Sequence, residues 1–249
     1  MLKVYLGYDP SEHGAYEVAG FSMRRRSTVP ILVTPLSSAH PFYAREWRMR
    51  EDGQRIDAID GNPFSTDFSF ARFLVPECEK FSGWALFADC DFLFLDDIGK
   101  LAALADPVYA VMVVKHRYVP KESVKMEGQV QTAYPRKNWS SLILWNCGHP
   151  ANQTLTRGAV NQATGSYLHQ FGWLEEELIG ELPKQWNHLV DHDKAVLQPS
   201  ALHYTSGGPW FKKYLDCGYS AEWLAELQDY RATMKGLYHE PSRDHAVRR

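Results

Sequence analysis

Residues 84–97, WALFADCDFLFLDD, run an apolar segment straight into two carboxylates one residue apart. A segment this apolar and aromatic fits a buried strand. Side chains alternate along a strand, so Asp89 and Asp91 fall on one side and Cys90 on the other. Two like charges that close resist ionising together unless a cation lies between them. The chain is thereby constrained to a sheet with a polar strand end that holds either a divalent metal or a cap. In a cap the carboxylates accept backbone hydrogen bonds or pair with arginine. The tripeptide does not choose between the two. Asp191-His192-Asp193 repeats it among polar residues, with no apolar strand leading in, and reads as a solvated loop.

Other apolar runs extend the sheet. Residues 3–8 (KVYLGY) read as a buried strand, Asp9-Pro10-Ser11 breaks it, and a helix is predicted over 12–26, with Arg24, Arg25 and Arg26 where cations suit the helix dipole. Residues 30–36 return as a strand, which starts an α/β layer. Residues 37–66 lack a clear period and are expected to form an irregular insertion with some helix. A helix over 66–75 is expected, capped by Ser65 or Thr66. A short helix at 98–105, strands at 108–114 and 140–146, and a helix from Pro150 to 163 follow. Residues 182–189 and 201–205 read as short extended segments. A final helix at 220–235 places Trp223, Leu227, Tyr230 and Met234 on one face, and the polar tail after Tyr238 is expected to fray. With no repeat or linker, 1–249 reads as one α/β domain with a mostly parallel sheet.

Composition narrows the function. With 249 residues, 45% of them hydrophobic, the chain can bury a large core. A net charge of −3 argues against bulk electrostatic attraction to nucleic acid. A local basic run remains, comprising Lys115, His116, Arg117, Lys121, Lys125, Arg136 and Lys137. It suits either a solvated loop or a lip over a phosphate-bearing ligand. No apolar run is long enough to span a bilayer, and MLKVYLGYDP does not resemble a signal peptide. The four cysteines, at 78, 90, 147 and 217, lack metal-site spacing. Reduced thiols in a cytoplasmic protein explain them, and the Asn138-Trp139-Ser140 and Asn152-Gln153-Thr154 acceptor triplets then have no role.

Five segments, VYLGYD (4–9), FARFLVPE (70–77), ALFADCDFLFLDD (85–97), the pair NWSSLILWN (138–146) and LPKQWN (182–187), and HYTSGGPW (203–210), occur in the order found in a known group. The chain resembles retaining nucleotide-sugar glycosyltransferases of the GT-A fold, in particular family eight and its bacterial and phage relatives. The resemblance implies a three-layer, Rossmann-like α/β sandwich with Asp-x-Asp at a strand end. It assigns Asp89, Asp91 and His203 to a manganese or magnesium ion on the donor diphosphate. Carboxylate oxygens and a neutral imidazole suit such an ion. Gly7 and Tyr8 would meet the base, Tyr8 by stacking. Arg72 would approach the phosphate or sugar, while Asn138, Trp139, Ser140 and Ser141 would line the sugar pocket. Gly207 and Gly208 would bring backbone amides to the phosphates. Where the family commonly carries a Lys before Pro-Trp, this chain has Gly208, and Lys212 or Lys213 is the substitute cation. An acidic and amide pair upstream of LPxxWN is replaced by Trp173-Leu174-Glu175-Glu176-Glu177, of which Glu176 is the candidate facing sugar or acceptor.

The implied reaction moves a hexose-type sugar from a nucleotide sugar, UDP-linked by preference and GDP-linked as a second option, to an acceptor hydroxyl. Asp89, Asp91 and Glu176 are the candidate catalytic groups. The acceptor is a glycan, a lipid-linked sugar, a protein or a modified nucleic acid. Aspartyl phosphatases also use Asp-x-Asp, with the first Asp as nucleophile, and a nucleotide-sugar binding module without turnover would share the donor site. Inversion, with Glu175, Glu176 or Glu177 as base, stays open at this point. Trp139, Trp173, Trp186 and Trp210 are candidates to stack on sugars or bases, with core packing as the other reading.

Overall fold

A computed structural model describes residues 1–116, 124–125, 129–130, 136, 138–194 and 198–238. Arg117, Lys121 and Lys137 of the basic run, and the tail beyond Tyr238, lie outside the described residues.

The centre is a six-stranded sheet in the order Ile179–Glu181, Val111–Val113, Leu142–Asn146, Trp84–Ala88, Leu2–Gly7, Ile31–Leu36. Leu142–Asn146 runs antiparallel to both its neighbours, and the other ladders are parallel. Strands covered on both faces need apolar residues at successive positions, and Trp84–Ala88 supplies them. Phe87 enters a core with Phe73, Trp145 and Phe171, while Leu86 and Ala88 enter the opposite core with Met23, Phe94 and Leu101. At the free edge, Leu2 N donates to Pro30 O and Tyr8 N to Leu36 O, so even-numbered residues of the last strand face inward. Pro35 therefore faces the open side, where its missing N–H weakens edge pairing.

The first crossover is the helix His13–Arg26, entered through the Pro10–Glu12 turn that Asp9 caps by accepting the Ser11 N–H at 2.9 Å. Arg25 and Arg26 at its end reach the buried Glu226 of the last helix, Ser220–Tyr238. That helix turns Trp223 into a small core with Leu93 and Tyr204, with Leu227 packed against it, on the face read from the sequence.

Some expectations are corrected. Residues 37–66 carry no helix; they form a three-stranded antiparallel sheet of Trp47–Met49, Arg55–Asp57 and Pro63–Phe64. Its strands are too short to show an alternating period. A buried ion pair, Arg45 to Asp57, holds this insertion, and Arg45 also donates to the carbonyls of Val160 and Ala163. The helix expected over 66–75 is instead a 3-10 turn, Ala71–Leu74, followed by Val75–Cys78. It has no side-chain cap, because Thr66 lies four residues too early and bonds Ser69. The helix expected over 150–163 is split into Pro150–Thr154 and Arg157–Gln162, with Thr156 capping the second piece through Ala159 N.

Candidate functional site

Parallel strands bring their carboxyl ends to one edge of the sheet, and the reversed strand brings its beginning there. Trp84–Ala88 ends at Asp89, and opposite Ala88 stands Leu142, so residues 138–141 arrive beside the Asp-x-Asp turn. Asp89 N donates to Ser141 O at 2.9 Å and fixes that junction. Beyond the turn, Phe92–Phe94 leaves the central sheet and pairs antiparallel with Ala201–His203, setting His203 opposite Phe92. The His203 ring stacks on Phe92 with centroids 4.4 Å apart. The stretch from Asp89 to Asp91 is a turn between two strands, yet the outcome expected from alternation is found. Cys90 is buried in the core, while the carboxylates face His203.

Candidate ligand atoms of Asp89, Asp91 and His203 lie within 4.8 Å of one another. His203 Nε2 is 3.4 Å from Asp91 Oδ1 and has no hydrogen-bond partner, though the residue is 1% exposed. Two carboxylates and an imidazole nitrogen held that close, in a nearly dry setting, fit a divalent cation of the manganese or magnesium type. The far nitrogen, Nδ1, is 2.9 Å from Asn187 Oδ1. Asn187 Nδ2 donates to Ser141 Oγ at 2.9 Å, and Ser141 Oγ donates to Asn138 O at 2.7 Å. Asn138 is left-handed, at φ 64 and ψ 1, which the side chains of Asn and Asp tolerate best.

Arg72 combines the two readings of the Asp-x-Asp, because an arginine also pairs with one of its carboxylates. Its Nη1 is 2.8 Å from Asp89 Oδ1 and donates to Ser140 O at 2.7 Å, and its guanidinium lies 4.9 Å from the Phe87 ring centroid. The guanidinium therefore faces Asp89 from within the protein. Ser140 Oγ is 2.8 Å from His169 Nδ1. Asn138 and Ser140 are both buried, and Asn138 Nδ2 has no partner.

The remaining candidates are more dispersed. A Cβ on Gly7 would stand 2.6 Å from the Phe68 ring, so the room that Gly7 leaves is filled by Phe68. Tyr8 is half-buried, with its ring edge-on to Tyr16 at 5.0 Å and to His13 at 6.0 Å. Gly207 (φ +112) donates its N–H to Tyr204 O at 2.7 Å. Side chains at Gly207 and Gly208 would strike Tyr214 and Trp210, so both glycines are required by local packing. Lys212 is exposed in the Lys212–Tyr214 turn. Glu176 is exposed and ion-paired with Lys115 at 3.0 Å and with Arg136, which hold its carboxyl below the usual range, the Lys115 hydrogen bond foremost. Both cations lie 5.5 Å from the Trp139 ring, whose Nε1 donates to His116 O. Trp139 thus belongs to this charged cluster. Trp186 is buried, Trp173 stacks on Trp145, and Trp210 packs against Tyr204 and Trp223.

The second Asp-x-Asp carries local bonds. Asp193 accepts from Leu189 N and pairs with Lys184 at 2.7 Å, and Asp191 accepts from Gly218 N. Two residues near the Asp89, Asp91 and His203 cluster have no distinguishing signal in the sequence. Asn187 was recognised only as part of LPKQWN, and nothing in its neighbours signalled a contact with a histidine sixteen residues later. His116 was read only as one cation of a basic run, yet it is 7% exposed, and burial drives its pKa down to about 4.

No known family profile matches the chain. Protein CDI of Arabidopsis thaliana is 47% identical to it over 239 residues, 94% of this chain and 89% of that protein. Among solved structures, the bifunctional glycosyltransferase WbbM superposes with a TM-score of 0.63 at 13% identity. The match covers 96% of this chain and 51% of WbbM, so the chain spans about half that protein's length. LgtC, a galactosyltransferase solved with donor and acceptor sugar analogues, gives 0.56 at 13% identity over 92% of this chain and 96% of LgtC. GlyE of Streptococcus pneumoniae gives 0.58 at 16% identity over 96% of this chain and 64% of GlyE. These likenesses establish a GT-A-type glycosyltransferase fold, as the sequence resemblance implied.

Proposed function

We propose that the chain, which belongs to the same family as Protein CDI of Arabidopsis thaliana, is a metal-dependent glycosyltransferase, a reading supported by its GT-A fold and its site. It moves a sugar from a nucleoside-diphosphate sugar to an acceptor hydroxyl, with retention at the anomeric carbon. The observation that carries this reading is the convergence of Asp89, Asp91 and His203 within 4.8 Å at the edge where such folds bind ligands. These residues would hold Mn2+ or Mg2+, which when bound neutralises charge on the departing nucleoside diphosphate.

The chain's own residues would do the positioning. Arg72 would orient Asp89 through their ion pair. Asn138, with an unpartnered buried amide N–H2, and Ser140, both at the start of the reversed strand, would fix donor hydroxyls. Tyr8 would stack on the base, uracil by preference and guanine as the second option, as the family resemblance implies. Gly7, Gly207 and Gly208 keep neighbouring aromatic rings in place, and Lys212 supplies the cation that the family commonly places before Pro-Trp. Glu176, held ionised by Lys115 and Arg136, would accept a hydrogen bond from a sugar hydroxyl, and retention follows from the family resemblance. The acceptor is of the glycan, lipid-linked sugar, protein or nucleic-acid class. The four free thiols suit a cytoplasmic setting, and among the described residues no helix is long and apolar enough to cross a membrane.

Thermal-shift measurements against UDP, GDP, CDP and dTDP sugars, with and without Mn2+, test the donor site. At least one nucleotide should stabilise the protein in a Mn2+-dependent way, and Asp91→Asn should abolish the shift. No shift with any nucleotide, or an unchanged shift in Asp91→Asn, overturns the assignment. Phosphate release without sugar nucleotide would favour the phosphatase chemistry instead. Nucleotide and Mn2+ binding without nucleoside diphosphate release, whatever the acceptor, would mark a binding module. The product anomer decides between retention and inversion.

A further inference from the structure

We propose that Asn187 is the positioning residue that makes His203 a metal ligand, by forcing its imidazole to present a bare Nε2 to Asp89 and Asp91. The inference rests on the metal reading above and concerns residues that reading leaves without a role.

The relay of hydrogen bonds starts at a backbone carbonyl, that of Asn138. A carbonyl oxygen only accepts, so the bond between Ser141 Oγ and Asn138 O uses the one hydrogen of the Ser141 hydroxyl. What Ser141 Oγ then offers Asn187, 2.9 Å away, is a lone pair, and the Asn187 atom facing it must be the donor Nδ2. The amide orientation, which is an assignment where both ends look alike, is thereby fixed by chemistry. Oδ1 is left to face His203 Nδ1 at 2.9 Å. An amide oxygen also only accepts, so Nδ1 must carry the proton. A neutral imidazole protonated at Nδ1 has its lone pair on Nε2, the atom 3.4 Å from Asp91 Oδ1.

Each link is dry and fixed. Asn187 is 0% exposed, Ser141 3% and His203 1%, so water does not compete for these bonds. The Phe92 ring stacked on the imidazole prevents it from tilting away. The first carbonyl of the relay belongs to left-handed Asn138, and that geometry turns its C=O toward the Ser141 hydroxyl. The Ser141 carbonyl meanwhile accepts from Asp89 N. One residue therefore ties the backbone of one ligand to the ring orientation of another. Outer partners of this kind fix the tautomer of a ligating histidine, and their loss typically weakens metal binding about 10- to 100-fold.

The test measures Mn2+ affinity directly, from the electron paramagnetic resonance signal of the free hydrated ion, and the His203 tautomer in metal-free protein, from its 15N shifts. Wild type should show Nδ1–H. Asn187→Leu should lose about 10- to 100-fold in Mn2+ affinity and redistribute the proton between the two nitrogens. Asn187→Asp keeps an acceptor opposite Nδ1 and should restore both readouts, which a packing role would not explain. Ser141→Ala frees the amide to turn and should give a mixed tautomer in a folded protein, so the question stays decidable if Asn187→Leu does not fold. Wild-type Mn2+ affinity in Asn187→Leu, or an unchanged tautomer in both Asn187→Leu and Ser141→Ala, overturns the role of Asn187. Failure of the metal reading looks different: wild type does not bind Mn2+, or His203→Ala binds it equally well.

Discussion

Arg72 Nη1 stands 2.8 Å from Asp89 Oδ1 and 2.7 Å from the Ser140 carbonyl, so one guanidinium joins the Asp-x-Asp turn to the start of the reversed strand. Both side chains are nearly buried, and removing one partner of such a pair leaves an uncompensated charge. Arg72→Met should destabilise the protein by about 3 kcal/mol in urea denaturation. Added Mn2+ should raise the unfolding midpoint of the variant more than that of wild type, because the cation replaces the missing positive charge beside Asp89. An equal gain in both proteins would count against a metal there.

Arg45 and Asp57 form a second pair, with side chains 0% and 1% exposed. Arg45→Met should cost about 3–5 kcal/mol. Adding Asp57→Leu should recover only part of it, since the carbonyls of Val160 and Ala163 also lose their donor. Full recovery in the double variant would show those carbonyl bonds to be energetically idle.

Gly208 has room for no side chain, because a Cβ would lie 2.1 Å from the Trp210 ring. Gly208→Ala should destabilise by about 1–3 kcal/mol through overpacking, and should weaken nucleotide-dependent thermal stabilisation as Trp210 shifts. Wild-type values for both would remove the turn from the donor site.

His116 gives a pH signature. Burial lowers its pKa to about 4, with Asp193 and Lys184 as its charged neighbours. The unfolded chain takes up a proton near pH 6.5 that the folded protein refuses until about 4. The stability is therefore complete above 6.5, falls as pH drops through that window, and levels off below it. The loss is at most about 3 kcal/mol, and His116→Asn should remove it. Urea denaturation of both proteins at pH 7.5 and pH 4.5 measures the difference, and parallel losses would refute this origin.

The sequence was legible where chemistry and position coincide. The doubly covered strands announced themselves as uninterrupted apolar runs, and Asp89 and Asp91 were visible because carboxylates at the end of such a run are anomalous. His203 was legible only through the resemblance of HYTSGGPW, since a histidine between apolar neighbours looks like any buried one. The Arg45–Asp57 insertion was opaque because strands of two or three residues carry no period. Asn187 was opaque for another reason. Its role is set by the direction of a hydroxyl hydrogen on Ser141, a property of three-dimensional arrangement that no spacing in the chain encodes.

The pairing of Phe92–Phe94 with Ala201–His203 also fixes when the site can exist. During synthesis the Asp-x-Asp turn leaves the ribosome long before His203 does, and the strand holding Phe92 lacks its partner until then. Two carboxylates one residue apart must therefore persist through nearly half of the chain's synthesis without the imidazole beside them. On the proposed metal reading, a nascent chain stalled before Ala201 should capture Mn2+ poorly, so that metal binding would follow the emergence of His203 rather than guide earlier folding.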